Sequence, residues 1–391
     1  MDFRDTPAEA AIRAEVRGWL EEHLPPHLEQ HRAAGDGQER LKASAAWQAE
    51  LFEGGYGALG LPEEHGGRPA SSVERYLVVE EAAKLGAPWH LNLAVTLGWC
   101  APALLAFGTA EQQRAHVRRM LAGEEIWCQM FSEPNAGSDL ASLTTRAERD
   151  GDDFVVNGQK VWSSGAHWSE WGILLARTGE GPRYRNLTFF AVDMSTPGIE
   201  VRPTRQLTGE SEFAEVFFTD CRLPAGSVVG EVDAGWNVAL YTLLNERVAL
   251  SAGAGAAVIA VQGLDRVLRM VRSSAGGDRL VRQKVAQAYI EAEANRLTGY
   301  RVLDAQFKGK APGPEASILK LAGDLWTQRL SELAVELMGM SGALEGDWTY
   351  SLLMTRALTI GGGTSEIQRN IIAERVLGLP RRSAQSAQPQ P

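Results

Sequence analysis

The chain has 391 residues, of which 44% are hydrophobic, so it is long enough for two or three domains with their own cores. Its formal net charge of -10 argues against a nucleic-acid-binding surface, because phosphate binding requires a basic face. Any phosphate groups that the protein binds must therefore be met by local donors.

The cysteines and the hydropathy pattern indicate a compartment. Cys100, Cys128 and Cys221 have neither metal-ligand nor disulfide-framework spacing, which is typical of a reducing environment. No apolar run reaches the length of a membrane span, and acidic residues occupy the N-terminus where a signal peptide would be basic. We therefore expect a cytoplasmic protein with no metal site and no membrane span.

The first third of the sequence has helical patterns. Thr6–Glu9 has the form of a capping box with proline at the first helical position, and an apolar stripe from Ile12 to Leu20 follows. Pro25 and Pro26 are predicted to end this helix. Further helices are predicted over 72–85, 91–107 and 111–121. The tryptophans interpreted as core residues are Trp47, Trp89 and Trp99.

Near Gly123 the pattern changes from helical to alternating. Asn157-Gly158 lies between two short runs, 154–156 and 160–162, which is a strong hairpin signal. Further strands are predicted over 173–176, 187–192 and 215–219. Proline-glycine sequences that favour turns separate these runs.

After Gly235 the sequence becomes helical again. Alanine-rich and leucine-rich segments predict helices over 236–271, 278–307, 314–338 and 365–377. This order predicts an α+β multidomain protein, with a helical domain at 1–122, a β domain at 123–234 and a four-helix bundle at 235–381. The last residues, 382–391, are predicted to form a disordered tail.

The segment from Ile360 to Arg375, IGGGTSEIQRNIIAER, combines three glycines with the start of a helix. Thr364 or Ser365 can cap this helix, and Ser365 and Gln368 have the spacing of a capping box. Glycine backbone in front of a positively polarised helix end allows a polyanionic cofactor to approach closely. The alternative is an ordinary glycine turn before a capped helix.

Two further blocks occur in the same chain, CQMFSEPNAGSDL from Cys128 to Leu140 and VVNGQKVWSSG from Val155 to Gly165. With the C-terminal glycine block, and in this order, they resemble the acyl-CoA dehydrogenase family. The match in length and layout extends to about Arg381. The resemblance implies the fold of that family, in which the β domain is barrel-like, and FAD as the cofactor.

By resemblance, the two blocks contain residues that contact the flavin. The backbone around Phe131 and Ser132 and the Ser132 hydroxyl would contact its pyrimidine side, although serine replaces the commoner threonine there. Ser164 would bond near the reactive N5 atom, and Trp162 would pack against the ring. The alternatives are a core strand residue for Trp162 and a turn residue for Ser164.

Three more positions match the family less strongly. Ser138, at the end of a Pro-Asn-Ala-Gly-Ser loop, matches a position near the pantetheine and phosphate of CoA. Thr364 and Glu366 match positions that contact the adenosine side of FAD. A plain helix cap is a close alternative for Thr364.

The catalytic base differs from that of many family members. They have a glutamate two residues before the threonine of the C-terminal block, where this chain has Gly362. A subgroup that resembles the isovaleryl-CoA and long-chain enzymes supplies its glutamate from the first C-terminal helix, within a Glu-Arg pair. Glu246 and Arg247 occupy that place in this chain.

We therefore predict Glu246 as the base, because a helix carboxylate beside a cofactor would be desolvated, which raises the pKa of the carboxyl toward the working range. Arg247 is the matching substrate contact. The Gly362 N–H would donate to the thioester carbonyl. The alternative for Glu246 is a surface or intersubunit ion pair.

Family homotetramers bind each FAD with help from a neighbouring subunit, through two motifs. In the first motif this chain keeps Arg272 but has Ala275 in place of phenylalanine. In the second it has Glu336 for glutamine and Met340 for glycine. An ionised Glu336 would repel a pyrophosphate, and Met340 would crowd the backbone approach. These changes resemble the heterotetrameric α2β2 enzymes of bacterial steroid side-chain breakdown; a homotetramer with neutral drift is the alternative.

The resemblance implies dehydrogenation of an acyl-CoA thioester to the trans-2-enoyl-CoA, with electrons passed to an electron-transfer flavoprotein. That chemistry needs a carboxylate, a hydride acceptor and donors to the thioester oxygen. One alternative is a flavin-binding subunit that completes a partner's site, and another is an acyl-CoA oxidase or monooxygenase on the same fold. Gly361 and Gly362 suit a bulky, branched or polycyclic acyl group, but glycine there also makes room for the helix-borne base.

Overall fold

A computed structural model of the chain describes residues 5–251, 254–274, 278–307 and 313–380, with side chains throughout except at 247–262, 274 and 303–307. The chain divides into two compact units. One contains Met1–Ala249 and Gly253–Ile259, and the other contains Leu250–Ala252 and Ala260–Pro391. The three predicted domain boundaries stay predictions, and the predicted tail at 382–391 lies outside the described residues.

The first unit begins with helices. They are α1 (Pro7–Ala33), α2 (Gly37–Glu53), α3 (Ser72–Lys84), α4 (Leu91–Val95), α5 (Ala101–Phe107) and α6 (Ala110–Leu121). The first three share one apolar cluster, and the last three contribute to another. The capping box of α1 is confirmed, since Thr6 Oγ1 accepts from the Glu9 N–H at 3.3 Å and the Glu9 carboxylate accepts from the Thr6 N–H at 2.7 Å. Trp47 and Trp99 are core residues as predicted, but Trp89 is 56% exposed, so its core assignment was wrong.

The first helix does not end at its prolines. Pro25 and Pro26 are exposed residues inside α1, which continues to Ala33. Each proline removes one intrahelical hydrogen bond, but the carbonyls left without a donor, those of residues 21 and 22, belong to exposed glutamates that water can reach. Leu28, beyond the prolines, packs against the same cluster as Leu24. This packing outweighs the lost hydrogen bonds, and the predicted helix end was wrong.

Residues 91–107 are helical throughout, as predicted, but their middle turn is irregular. A π-turn at Thr96–Cys100 joins α4 to α5. Such turns are rare and occur frequently at functional sites. Trp99 and Cys100 within it are both buried.

The described residues of the middle region form one seven-stranded sheet. Its strands are β1 (Trp127–Met130), β2 (Arg146–Asp150), β3 (Asp153–Ser164), β4 (Trp171–Arg177), β5 (Leu187–Asp193), β6 (Ile199–Thr204) and β7 (Phe213–Pro224). The order is β1-β4-β2-β3-β7-β6, and β5 pairs with β4. The strands predicted over 173–176, 187–192 and 215–219 are confirmed, whereas β1, β2 and β6 were not predicted.

The predicted hairpin at Asn157-Gly158 is wrong, because β3 runs through both residues. The pairing of β3 with β7 shifts between Val156 and Gly158, so this dipeptide lies at a β-bulge. A side chain at residue 158 would place its Cβ 2.5 Å from Thr145 Oγ1. Glycine is therefore needed for the close approach of β3 to Thr145, and the turn before β3 contains Gly151 instead.

The C-terminal part is helical, as predicted. Its helices are α7 (Gly235–Ser251), α8 (Ala254–Ser274), α9 (Arg279–Phe307), α10 (Ala316–Met338), α11 (Asp347–Leu358) and α12 (Ser365–Ile371). A π-turn at Ile372–Val376 continues α12, which confirms the helical segment at 365–377. The prediction missed α11. Trp326 anchors the core of the second unit, where its indole N–H donates to the Ala288 carbonyl at 2.8 Å.

None of the described helices combines the length and the apolar composition that crossing a bilayer would require.

Candidate active site

The two blocks predicted to contact a flavin are brought together in the first unit. β1 leads into Phe131 and Ser132, and β3 carries the second block. The Val161 N–H donates to the Ser132 carbonyl at 2.9 Å, and the Lys160 ammonium donates to the Phe131 carbonyl at 3.0 Å. The Phe131 ring itself is buried and packs edge-on against Phe189. Only the backbone of Phe131 is therefore suited to the predicted role.

A buried ion pair lies behind this junction. Lys160 Nζ is 2.8 Å from Glu133 Oε1, and the two side chains are 0% and 4% exposed. Glu133 also accepts from the backbone N–H groups of Thr144 and Thr145 at 2.6 and 2.9 Å and from the Thr144 hydroxyl at 2.8 Å. Burial opposes ionisation of Glu133, but Lys160 and these hydrogen bonds outweigh it and lower the pKa of Glu133 to about 2. Burial lowers the pKa of Lys160 to about 8, so both groups are charged at neutral pH.

Trp162 lies on a second bulge of β3. Lys160 pairs with Val216 and Ser163 with Ala214, so β3 has one residue more than β7 over this stretch. Trp162 adopts a left-handed backbone with φ of 59°, which is costly for a residue other than glycine. Its indole is 64% exposed. The core-strand alternative for Trp162 is therefore excluded by its exposure, and a large aromatic face is available for a planar ligand.

The end of β3 is fixed to α4. The Ser164 carbonyl accepts from Asn92 Nδ2 at 3.0 Å, and the Gly165 N–H donates to the Glu212 carbonyl at 2.6 Å. Gly165 has φ of 55°, and a Cβ there would lie 1.9 Å from Asn92 Nδ2. Glycine is thus required where Asn92 approaches, and the Ser164 backbone has a defined position.

Glu246 lies on α7 and is 8% exposed. The apolar residues of α7, including Val238 and Leu243, pack against the core cluster that also contains Phe131 and Cys100. Burial, Cys128 and Glu246 together raise the pKa of the Cys100 thiol. Glu246 is therefore close to the π-turn of 96–100 and largely shielded from water, as a general base is expected to be. Its assignment as the base stays a prediction.

The residues predicted to contact CoA are less defined. Ser138 is exposed in the loop between β1 and β2, and its neighbour Asp139 pairs with Arg183 of the loop between β4 and β5. The side chain of Arg247 lies outside the described residues. Both assignments stay predictions.

In the second unit, the glycine loop is organised by a single glutamine. Thr364 is the N-cap of α12, and its hydroxyl accepts from the backbone N–H three residues later at 3.2 Å. Ser365 and Gln368 do not form the predicted capping box, because Gln368 Nε2 donates to the Gly362 carbonyl at 3.0 Å and to that of the next glycine at 3.2 Å. Gly362 has φ of 63°, a backbone that favours glycine.

Two residues predicted to contact FAD are on the surface of the second unit. Glu366 is 76% exposed and pairs with Arg369 at 3.1 Å. Arg272 lines a groove of about 540 Å³ on α8 and α9. The other residues that line the groove are Leu268, Val271, Arg282, Val285, Ala286, Tyr289 and Ile290.

In the motif that the family offers to a neighbouring subunit, the charge of Glu336 is not isolated as the sequence suggested. Glu336 is 56% exposed, but Lys284 Nζ lies 2.6 Å from its carboxylate. The negative charge predicted to repel a pyrophosphate is therefore balanced locally. Met340 is 90% exposed, and Ala275 lies outside the described residues.

Each unit, taken by itself, has groups that fit FAD. The first has the exposed Trp162 indole near the fixed backbones of Ser132 and Ser164. In the second, Ser365 Oγ and Gln368 Oε1 are buried without a hydrogen-bond partner among the described residues. Because buried polar atoms are nearly always hydrogen-bonded, these two atoms are suited to a polar ligand.

Comparison with known proteins defines the class. The sequence matches the acyl-CoA dehydrogenase N-terminal domain over residues 6–124, the middle domain over 128–221 and the C-terminal domain over 233–377. The chain therefore belongs to the acyl-CoA dehydrogenase family and is an oxidoreductase of that type. Members of this family generally bind FAD. The resemblance inferred from the three sequence blocks is confirmed.

The chain is similar over nearly its whole length to individual proteins of this family. The chain is 41% identical to acyl-CoA dehydrogenase IpdE1 of Mycobacterium tuberculosis over 382 residues, which cover 95% of this chain and 97% of the relative. The solved structure of the Tcur3481-Tcur3483 steroid ACAD gives a TM-score of 0.85 at 28% identity, with 98% of this chain and 100% of that chain covered. The ChsE4-ChsE5 complex from Mycobacterium tuberculosis gives 0.82 at 30% identity with the same coverage. The predicted fold is confirmed.

Sequence reasoning missed three features of the site. Lys160 and Glu133 lie inside the quoted blocks, but no role was assigned to them. The signal for Lys160 was present, since it lies at an alternate position of the strand in line with the apolar Phe154 and Val156. The π-turn beside Glu246 has no such signal in the sequence.

Proposed function

We propose that this chain is a FAD-dependent acyl-CoA dehydrogenase that converts an acyl-CoA thioester to the trans-2-enoyl-CoA, with Glu246 as the base. The observation that carries this proposal is the burial of Glu246 on α7 in a chain that has glycine at position 362. A carboxylate is needed to remove the weakly acidic α-proton, and Gly362 has no side chain that can do so.

Glu246 accepts the α-proton on its carboxylate. The apolar cluster around α7 limits access of water to that carboxylate, which prevents competing proton exchange. The Gly362 N–H donates to the thioester carbonyl and stabilises the negative charge that develops there. Arg247, adjacent to the base, contacts the substrate.

Ser132, Ser164 and Trp162 would hold the flavin, and Thr364 and Glu366 would contact its adenosine side. When bound, FAD would supply the acceptor for the hydride that leaves the β-carbon of the substrate. The exposed Trp162 indole would pack against the flavin, and Ser138 would contact the CoA moiety. We propose an electron-transfer flavoprotein as the electron acceptor and the cytoplasm as the compartment.

We infer that the acyl group is bulky and polycyclic. Gly361 and Gly362 contribute no side chains to the site. A solved relative of this chain is described as a steroid ACAD, and it matches over nearly the whole length of both chains.

The assembly is a tetramer, and we favour the heterotetramer with a related chain over the homotetramer. Met340 replaces a glycine in a motif that family homotetramers offer to a neighbour's FAD. Two solved structures similar to this chain are described with paired names, one of them explicitly as a complex. Arg272 is retained as the residue offered to the neighbouring subunit.

The test is anaerobic reduction of the flavin by candidate substrates. The purified chain, loaded with FAD and co-purified with a related chain if flavin is not retained, is mixed with straight, branched and steroid-derived CoA thioesters. Bleaching of the flavin absorbance is expected with the polycyclic thioester. The absence of bleaching with every thioester would contradict the proposal, and rapid oxygen consumption with substrate would indicate an oxidase.

A further inference from the structure

The buried Lys160–Glu133 pair contacts neither of the side chains assigned to catalysis, yet it connects three segments. Lys160 belongs to β3, Glu133 to the segment after β1, and the N–H donors of Thr144 and Thr145 to the segment before β2. The Lys160 ammonium also donates to the Phe131 carbonyl at 3.0 Å. All these contacts lie within the first unit.

The pair also lies at the start of the bulge that exposes Trp162. Lys160 and Ser163 are buried, whereas Trp162 between them is exposed. The Val161 N–H, between Lys160 and Trp162, donates to the Ser132 carbonyl at 2.9 Å. A change in the position of Lys160 would therefore move both the Ser132 backbone and the origin of the bulge.

A buried ion pair is not an efficient way to stabilise a fold. Removing two charges from water is costly, and replacing such a pair with apolar residues of similar volume is often neutral or stabilising. Such a pair does restrict the positions of its neighbours, however, because every hydrogen bond of a buried carboxylate must be satisfied. Glu133 meets this condition, with each carboxylate oxygen accepting two hydrogen bonds.

We propose that Lys160 and Glu133 are positioning residues for the flavin, which hold the Phe131–Ser132 backbone and the Trp162 bulge in one arrangement before the cofactor binds. This inference rests on the proposed flavin-dependent function. In this proposal the Phe131–Ser132 backbone and the Trp162 indole contact the flavin. Lys160 and Glu133 do not contact it but hold those groups in position.

The test compares Glu133→Gln, Lys160→Met and the double variant with the wild-type protein. Each single variant leaves one buried charge without its partner, so we expect both stability and FAD affinity to fall. The double variant removes both charges and should regain thermal stability. We expect it still to bind FAD about 10-fold to 100-fold more weakly, with a midpoint potential moved toward that of free FAD. Wild-type affinity and potential in a stable double variant would overturn the proposal.

Glu81→Gln provides the matched control. The Glu81 side chain is 1% exposed and pairs with Arg17 and Lys84, on helices that carry none of the predicted flavin residues. This substitution should lower stability without changing the FAD dissociation constant relative to the remaining folded protein. An equal loss of FAD affinity in both glutamine variants would show a general effect of destabilisation.

A measurement on the wild-type protein decides the matter if the variants do not fold. Hydrogen exchange of the Val161 amide should be slow in the flavin-free chain and change less than about threefold when FAD is added, because a preformed hydrogen bond already protects it. Fast exchange that slows only with FAD would overturn the proposal. Failure of every thioester to bleach the flavin would contradict the proposed function but would leave this protection unchanged.

Discussion

Two Lys–Glu pairs of nearly equal length have opposite surroundings. Lys160 and Glu133 are 2.8 Å apart and almost fully buried, whereas Lys284 and Glu336 are 2.6 Å apart with 38% and 56% of their side chains exposed. Distance therefore does not distinguish them. Water screens and solvates the second pair, while the first depends entirely on its protein partners.

The pairs also represent two regions with different constraints. Glu133 belongs to the segment that the chain uses for its own predicted flavin site, where the surrounding hydrogen bonds leave little freedom. Glu336 belongs to the motif that family members offer to a neighbour, and here its charge is balanced by Lys284 while Met340 nearby in the sequence is 90% exposed. The segment predicted to hold the chain's own flavin is thus buried and fully hydrogen-bonded at Glu133, whereas the motif that would serve a neighbour is exposed at Glu336 and Met340.

The largest expected effect concerns the proposed catalytic base, Glu246 on α7. Glu246→Gln should leave FAD bound but lower the rate of flavin reduction by acyl-CoA about a hundredfold to ten-thousandfold, because an amide cannot take up the α-proton. Stopped-flow absorbance of the flavin measures this rate. The control is Glu231→Gln, an exposed glutamate just before α7, which should change the rate less than about twofold. Near-normal reduction by the Glu246 variant would contradict its assignment as the base.

The two pairs should differ strongly in stability. Glu133→Gln leaves the Lys160 charge buried without a counter-ion, so we expect the free energy of unfolding to fall by about 3–5 kcal/mol. Glu336→Gln should lower it by less than about 1 kcal/mol, because that pair is exposed. Urea unfolding of flavin-free protein at neutral pH measures both values. Similar losses for the two variants would remove burial as the distinguishing property.

The pH dependence sharpens the same comparison. The pKa of Glu133 is lowered from 4.5 to about 2, since Lys160 and the Thr144 and Thr145 hydrogen bonds outweigh its burial. A lowered carboxyl pKa contributes stability that is fully present above the unfolded value of 4.5 and is lost as pH falls toward 2. The deficit of Glu133→Gln should therefore be largest at neutral pH and shrink below pH 4.5. A deficit that stays constant as the urea midpoints are followed into this range would argue against an ionised Glu133.

The fold could be predicted where the composition of a segment was distinctive, and prediction failed where packing competed with a local signal. The helix over 278–307 was found from its alanine-rich and leucine-rich composition, and the strands over 173–176 and 187–192 were found from their short apolar runs. Pro25 gave a strong local signal for the end of a helix, and Asn157-Gly158 gave one for a turn. Packing overrode both signals. Leu28 packs against an apolar cluster beyond the proline, and Thr145 lies close to Gly158 within the strand.

The site shows the same limit. The flavin blocks were recognised from the sequence, and the structure joins them through the Val161 N–H and the Ser132 carbonyl. The left-handed backbone of Trp162 could not be predicted, because it follows from a bulge between β3 and β7. Likewise, Thr364 and Ser365 were equal candidates as the cap, and the structure selects Thr364 because Gln368 bonds the glycine carbonyls instead.

The neighbour-facing region leads to a prediction on assembly. The chain purified alone should hold FAD substoichiometrically, because Met340 replaces the glycine that allows a neighbour's FAD to approach. Addition of a related chain should restore both flavin and activity. The flavin-to-protein ratio, with the mass from light scattering, measures this. A fully flavinated and active homotetramer would contradict the heterotetramer and leave the dehydrogenase function intact.

The smallest expected effect is the difference in FAD retention between variants at Glu336 and at Met340. Because Lys284 already balances the charge of Glu336, Glu336→Gln should change FAD retention by less than about fivefold, as expected for an exposed pair. Met340→Gly removes the side chain that crowds the backbone, so it should increase retention more than Glu336→Gln does. Equilibrium dialysis of FAD against each single variant and the double variant measures the difference. A larger gain from Glu336→Gln than from Met340→Gly would show that charge repulsion, despite Lys284, limits binding at this motif.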